Sequence, residues 1–209
     1  MKKIFLFLIL ATPVMGMSVK EAEKILQEHP ILGDWRVETQ TEDLIKLTAK
    51  PIDPFNPFLQ LSCVLKKDEN KLITMFYLQD PNGVIETIDT LGYIRILIPG
   101  HDGEDVFRNT WLYPILPKIY NLNCILQPTK TKSDLEIRPF GDFLLKKGGA
   151  FAISPVPGVP KGKHVFMPST RNIYAAAVVL MGGISKADFY KSLEMPDFSE
   201  TEFKLVPYK

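Results

Sequence analysis

Apolar residues in this chain fall mainly into short runs, separated by Gly, Pro, Asn and Asp, the residues that form turns. Within many of these runs apolar and polar positions alternate, which is typical of β-strands with one buried face. The predicted strands are residues 35–39, 44–49, 59–65, 72–78, 84–91, 93–98 and 201–206, with shorter extended segments around Cys124 and at 135–137 and 140–145. The pattern predicts a mostly β chain.

A first helix is predicted to begin at Ser18. Ser18 and Glu21 have the spacing of a capping box, in which each residue satisfies a backbone N–H of the other. The residues predicted to share the buried face of this helix are Val19, Ala22, Ile25 and Leu26. Pro30 ends the pattern, because proline cannot continue a helix.

A second short helix is predicted near the end of the chain. Ser185 is its N-cap, Asp188 is the acidic residue three positions later, and Ile184 is placed to pack on Phe189 as a hydrophobic staple. The residues predicted to form its buried face are Ala187, Tyr190 and Leu193. These features stabilise a helix locally, so we expect this element to be structural.

Residues 171–181 contain the most apolar stretch after the N-terminus, an AAAVVL block at 175–180. The β-branched pair at 178–179 and the following Gly182 and Gly183 favour a buried central strand, although a buried helix remains an alternative. Strands and helices do not alternate regularly along the chain, which argues against a parallel sheet. We therefore expect residues 17–209 to form a single mostly β domain, a β-sandwich or distorted barrel with a short helix near each end.

The first 16 residues have the order of a secretory signal peptide. Lys2 and Lys3 are followed by the apolar run 4–11, by Pro13 and by the Val-Met-Gly sequence at 14–16. The run is too short for the roughly 20 residues that span a bilayer as a helix. We expect cleavage before Met17, a periplasmic or secreted protein, and no stable membrane span after cleavage.

Charge argues against nucleic acid as a partner. Removal of Lys2 and Lys3 lowers the 25 basic residues to 23 against 24 acidic ones, a net charge of −1. Nucleic-acid binding needs a basic face, and no cluster of Lys and Arg interleaved with aromatic residues occurs.

Cys63 and Cys124 are the only cysteines in the chain. Both lie in apolar, strand-like runs, and a lone pair in an exported protein is usually bonded. We predict a disulfide bond between them, with two separate buried thiols as the alternative. The bond closes a loop of about 60 residues, worth about 4 kcal/mol on the chain-entropy model.

The sequence offers no clear catalytic or metal-binding motif. His29, His101 and His164 are far apart, and no histidine or cysteine pair has the spacing of a zinc site. No Gly-x-Ser-x-Gly motif is present, and Ser154 and Ser169 lie in proline-flanked segments. We therefore assign no catalytic residue, metal or cofactor.

Two families resemble short parts of the chain. The Gly33-Asp34-Trp35 sequence resembles the lipocalin Gly-x-Trp signature, although a core tryptophan explains it as well. Residues 33–37, 144–148 and 178–193 resemble the invasion-associated locus B family. A cysteine expected soon after the tryptophan is replaced by Glu38 or Thr39. The latter resemblance implies a secreted or periplasmic β-sandwich and implies no catalytic residues.

We expect an exported, non-enzymatic binding protein that engages a protein or envelope partner. Its surface is predicted at the proline-rich loops 51–58 and 155–162, and aromatic anchors are typical of such surfaces. The candidate anchors are Phe55, Phe58, Trp111 and Tyr113. The alternatives are a small exported hydrolase, which needs acid, base or nucleophile gathered near His101 or His164, and a lipocalin-like carrier, which needs an apolar cavity under Trp35.

Overall fold

The structure of the protein is a computed structural model that describes residues 16–52, 59–81, 93–99, 105–111, 113–122, 124–128, 135–147, 151–154 and 164–193. Within these residues the chain forms twelve strands and four helices. The protein is therefore mostly β with helices, as the pattern predicts. The proposed leader, the predicted strands at 84–91 and 201–206, and most of both proline-rich loops lie outside the described residues.

The strands are β1 (Arg36–Gln40), β2 (Leu44–Ala49), β3 (Gln60–Asp68), β4 (Lys71–Gln79), β5 (Tyr93–Pro99), β6 (Asp105–Trp111), β7 (Tyr113–Leu116), β8 (Ile119–Asn121), β9 (Cys124–Pro128), β10 (Leu135–Pro139), β11 (Phe151–Ser154) and β12 (His164–Phe166). The helices are α1 (Val19–Gln27), α2 (Phe140–Lys147), α3 (Thr170–Met181) and α4 (Lys186–Ser192). The first sheet has the order β1-β2-β3-β4-β8-β7 and the second β10-β9-β6-β5-β11-β12. Every pairing in them is antiparallel, and neither sheet closes on itself.

The hairpin of β3 and β4 is the centre of the first sheet and confirms the strands predicted at 59–65 and 72–78. Asp68 faces Lys71, so only Glu69 and Asn70 form the turn, with Glu69 in the left-handed region at φ 52°. Alternate residues of β3 project to the face that the helices cover. These residues, Leu61, Cys63 and Leu65, have no exposed surface. The alternation seen in the sequence is thus the alternation between two faces of one sheet.

The first predicted helix is confirmed as α1. The Ser18 side chain accepts a hydrogen bond from the Glu21 backbone N–H at 3.2 Å, as an N-cap does. Ala22 and Ile25 are buried. Val19 and Leu26 are partly buried against the same core. The capping signal and the apolar periodicity therefore predicted this helix correctly.

Residues 171–181 form the helix α3, so the predicted central strand is wrong. Ser169 caps the helix at its start, and Gly182, at φ 68°, ends it in the left-handed conformation. The helix contacts α1 as well as β2 and β3. Because α3 has neighbours around most of its circumference, its sequence is apolar almost throughout and shows no helical period. A continuous apolar run of this kind does not distinguish a strand from a buried helix.

Residues 140–145, predicted as an extended segment, belong to the helix α2, which is a second correction. Phe140 and Leu144 are buried, four residues apart, on one side of this helix. The Phe140 ring packs edge-on against Phe76 of β4, with ring centroids 5.1 Å apart. The contact joins α2, which directly follows β10 of the second sheet, to the core of the first sheet.

The start of α4 is as predicted, but its buried face is different. The Ser185 hydroxyl accepts from the Asp188 N–H at 3.1 Å, and Phe189 and Leu193 are buried four residues apart. Tyr190 is 48% exposed and Ala187 is exposed, so neither covers the core. Leu193 is buried as predicted, whereas the predicted burial of Ala187 and Tyr190 is wrong. Tyr190 follows the buried Phe189 by one residue, a rotation of about 100° around the helix axis, which is enough to move a side chain into solvent.

Candidate functional site

Two of the four predicted aromatic anchors lie within the described residues. Trp111 is the last residue of β6 and faces Tyr93, whereas Tyr113 is the first residue of β7 and faces Asn121. Both residues lie at strand ends, where the chain passes from the second sheet to the first. Phe55 and Phe58, on the first proline-rich loop, lie outside the described residues. The structure thus does not bring the four anchors to one described site.

A hydrogen bond joins the described start of the first proline-rich loop to the strand that follows the second. The Ile52 backbone N–H donates to the Val165 carbonyl at 2.8 Å. Ile52 is the last described residue at the start of the first loop, and Val165 lies in β12, the strand that follows the second loop. The start of the first loop and the strand after the second are therefore neighbours.

Gly33 lies at the centre of this junction. The Met167 N–H donates to the Gly33 carbonyl at 2.9 Å. Gly33 has φ 90°, and a Cβ placed on it would lie 2.7 Å from Ile52 Cγ1 and 3.1 Å from the Met167 nitrogen. Both the conformation and the space therefore require glycine here.

The Asp34 side chain links the same region to the start of helix α3 by a hydrogen bond. Its Oδ1 accepts from the Ser169 N–H at 2.6 Å and from the Trp35 N–H at 2.7 Å. The Asn172 side chain donates to the Trp35 carbonyl at 3.5 Å. Trp35 is only 2% exposed, which confirms it as a core tryptophan. The Gly-Asp-Trp segment is evident in the sequence, but the role of Asp34 is not, because its partner Ser169 is distant in the sequence.

Exposed apolar side chains surround the junction. Ile31 is 71% exposed, Leu32 53% and Met167 40%. The Asp34 N–H donates to the Ile31 carbonyl at 2.9 Å, so residues 31–34 form a tight turn beside Met167. We call Ile31, Leu32 and Met167 the junction surface. Other exposed large apolar residues of the described chain lie elsewhere, on β4, on the β7–β8 hairpin and on α4: Ile73, Ile115, Leu116 and Tyr190.

A separate open groove of about 370 Å³ lies beside α1, α3 and α4. Its lining includes Met17, Glu21, Arg171, Tyr174, Lys186 and Tyr190. The Tyr174 hydroxyl donates to the Ile184 carbonyl at 3.1 Å, and Arg171 pairs with Glu28 at 3.5 Å. Trp35 does not line this groove. It is therefore not the cavity under Trp35 that the carrier alternative requires.

The histidines do not form a described cluster. His29 is exposed, His101 lies outside the described residues, and only the backbone of His164 is described. Among the described residues, no three His, Cys, Asp or Glu side chains are grouped so that they could hold a metal ion. In the same part of the chain, no helix is long and apolar enough to cross a membrane.

The two cysteines lie in different sheets. Cys63 is a free, fully buried thiol on β3, and this burial raises its pKa well above the usual value. Cys124 is the first residue of β9 and faces Pro139. The structure has no disulfide at Cys63, and the bond to Cys124 stays a prediction.

No protein-family model matches the sequence, and neither the curated proteins nor the solved structures contain a significant match. The resemblance to the invasion-associated locus B family therefore stays a prediction carried by the sequence segments given above.

Proposed function

We propose that this is an exported, non-enzymatic binding protein that engages a protein or envelope partner. We place the binding surface at the junction surface and propose that the two proline-rich loops contribute to it. The observation that carries the proposal is the hydrogen bond between Ile52 and Val165, because it joins the start of the first loop to the strand that follows the second.

The chemistry of the junction surface supports an interaction with a macromolecule. Its side chains are aliphatic or thioether groups exposed to solvent. Contiguous exposed apolar groups commonly mark interaction sites. Met167 adds a flexible, polarisable side chain of the kind that adapts to different partners. Exposed polar neighbours at His29 and Lys50 supply the beginning of a polar rim.

The backbone beneath the surface is held firmly. Gly33 bonds to Met167, and Asp34 bonds to Ser169 at the start of α3. A surface that is ordered before binding loses less conformational entropy when its partner arrives.

Export is part of the same proposal. Its support is the order of basic residues, apolar run and small residues at 2–16. We also propose that the two sheets pack as a sandwich. The contact of Phe76 with Phe140 supports this arrangement, because it joins the first sheet to the segment that follows β10.

Site-specific photo-crosslinking in the producing cells tests the binding proposal. A photoreactive amino acid replaces Ile31 or Met167 in separate variants, and Asn70 in a control variant. Asn70 lies beyond the far end of β3, about 30 Å from the junction at 3.3 Å per strand residue. We expect Ile31 and Met167 to give the same adduct and Asn70 to give none. Absence of an adduct from both junction positions, or an equal adduct from Asn70, would contradict the proposal.

A further inference from the structure

The hairpin of β7 and β8 ends in two exposed aliphatic side chains. Leu116 faces Ile119, so only two residues form the turn between the strands. Ile115 is 43% exposed and Leu116 is 59% exposed. In a regular strand two successive side chains point to opposite faces, so one of them can reach the core. Here β7 is an edge strand whose register shifts between Pro114 and Leu116, and both side chains lie in solvent.

Ile31 and Leu32 of the junction surface form a second exposed aliphatic pair, in the turn before β1. The Asp34 N–H closes this turn by donating to the Ile31 carbonyl. Turns usually carry Gly, Pro, Asn, Asp or Ser, and the turns at residues 41–43 and 69–70 are polar in this way. Turn chemistry therefore does not explain the aliphatic residues at 31–32 and 115–116.

The register of the strands places both aliphatic pairs at the same end of the first sheet. The turn before β1 and the turn after Leu116 both lie at this end. The two pairs are on opposite sides of it, separated by five strand spacings of about 4.8 Å each. The facing residues at this end, followed from β1 to β8, are Arg36 with Thr48, Ala49 with Leu61, Gln60 with Gln79, and Gln79 with Ile119.

The exposed charges of the described residues at these strand ends are basic. Arg36 begins β1, Lys50 follows β2, and Lys118 lies in the β7–β8 turn. The Asp34 carboxylate accepts from two backbone N–H groups, and Asp80, which follows β4, is buried. The opposite end of the sheet has four exposed acidic residues beside its lysines: Glu42, Asp43, Asp68 and Glu69.

We propose that the end of the first sheet with the two aliphatic pairs docks on the surface of a lipid bilayer with anionic headgroups. Both pairs enter the boundary between headgroups and acyl chains. Arg36 and Lys50 lie against the lipid phosphates. This inference rests on the proposed binding function and names the envelope membrane as its partner.

A lipid surface suits this arrangement better than a protein partner does. The membrane affinity of a peripheral protein grows with the apolar area that enters the interface and with the attraction of basic residues to anionic lipids. The two aliphatic pairs are far apart, and the twist of a sheet tilts its outer strands relative to each other. A fluid bilayer accommodates two tips at different angles, whereas a protein partner needs two separate matching pockets.

Co-sedimentation with vesicles tests the proposal. The protein is purified as the producing cells process it. It is mixed with vesicles of phosphatidylcholine and phosphatidylglycerol in equal amounts, or of phosphatidylcholine alone. The tip variants are Leu32→Asp and Leu116→Asp, and the control is Ile73→Asp, on β4 near the opposite end of the sheet. All three side chains are exposed, so the variants should keep unfolding temperatures near that of the wild type.

We expect the wild type and Ile73→Asp to bind the mixed vesicles equally. Each tip variant should bind them at least about tenfold more weakly, because an aspartate replaces apolar contact with the interface and repels anionic lipid. Wild-type binding should be weaker on phosphatidylcholine alone and should fall as salt is added. No binding of the wild type, or equal binding of the tip variants and the wild type, would overturn the proposal.

The photo-crosslinking experiment separates this proposal from the binding function on which it rests. Lipid adducts at Ile31 and Met167, together with vesicle binding that depends on both tips, would support both proposals. A shared protein adduct at the two positions, without vesicle binding, would overturn membrane docking and support the binding function. The absence of both adducts and vesicle binding would overturn both.

Discussion

The two ends of the first sheet are built in different ways. At one end, which we call the turn end, β3 passes to β4 through Glu69 and Asn70 alone. At the other, the junction end, Gly33, Ile52 and Met167 meet from three distant parts of the chain. A turn made by neighbouring residues needs no distant partner. The junction end needs several, and it leaves apolar side chains in water.

The comparison distinguishes side chains that the buried core requires from side chains that it does not require. The buried rows of β2 and β3 would be equally buried if Ile31 and Leu32 were polar, since these two side chains are mostly in solvent. Ile31 and Leu32 are thus apolar side chains in solvent, beside the close contacts of Gly33 with Ile52 and Met167. We therefore interpret the constraint and the exposure together as the properties of a binding surface.

The largest effect is expected from Gly33→Ala. The new Cβ meets Ile52 and the Met167 backbone, and an alanine is strained at φ 90°. We expect a loss of about 2–4 kcal/mol in the free energy of unfolding, measured by urea titration. Glu69→Gly at the turn end is the matched control. Glycine adopts φ 52° with less strain than glutamate does, so the free energy of unfolding of this variant should be unchanged or up to about 1 kcal/mol higher. Equal losses in both variants would remove the distinction between the ends.

The next effect is expected from Asp34→Ala. The change leaves the Ser169 and Trp35 N–H groups without the carboxylate, and hydrogen bonds to charged groups contribute about 1.5–3 kcal/mol. Glu38→Ala is the control, because it breaks only the exposed ion pair with Lys46 and should cost less than about 1 kcal/mol. Thermal unfolding of the two variants measures the difference. A smaller loss of stability for Asp34→Ala than for Glu38→Ala would show that the Asp34 hydrogen bonds do not stabilise this region.

Between the two ends, Cys63 gives the reduced protein a dependence on pH. Burial raises its pKa in the folded state, so the folded protein keeps the thiol proton after the unfolded chain has lost it near pH 8.5. The unfolded state then binds fewer protons, and the free energy of unfolding falls as pH rises. We expect a fall of about 1 kcal/mol between pH 7.5 and 9.5, measured by urea titration under reducing conditions. The same fall in Cys63→Ala would assign it to other groups.

The helix cap of α4 is expected to have an effect of similar or smaller size. Ser185→Ala removes the acceptor for the Asp188 N–H and should cost about 1 kcal/mol. The Ser185 side chain bonds to Asp188 and not to a residue of the junction surface, so binding per folded molecule should be unchanged. Wild-type stability with lost binding would instead place α4 in the binding surface.

Local signals predicted α1, the β3–β4 hairpin and the start of α4 from the sequence. In each case a cap or a turn acts on residues within a few positions, as Ser18 does on Glu21. The helix α3 was not predicted because burial against both α1 and the sheet removed its periodicity. The junction could not be predicted either, since the bond from Asp34 to Ser169 joins residues 135 positions apart. The contact between Ile52 and Val165 is likewise set by the fold and not by local sequence.

The most direct test of the central claim is the affinity of Leu32→Asp for the partner identified by crosslinking. Leu32 is 53% exposed at the junction, so the change should leave the unfolding temperature near that of the wild type. Ile73→Asp is the control, because Ile73 is 37% exposed on β4 close to the turn end. For Leu32→Asp we predict a dissociation constant at least tenfold larger, which corresponds to a loss of about 1.4 kcal/mol or more in binding free energy. For Ile73→Asp we predict no change in the dissociation constant. Wild-type affinity in Leu32→Asp, or an equal loss in Ile73→Asp, would contradict the account.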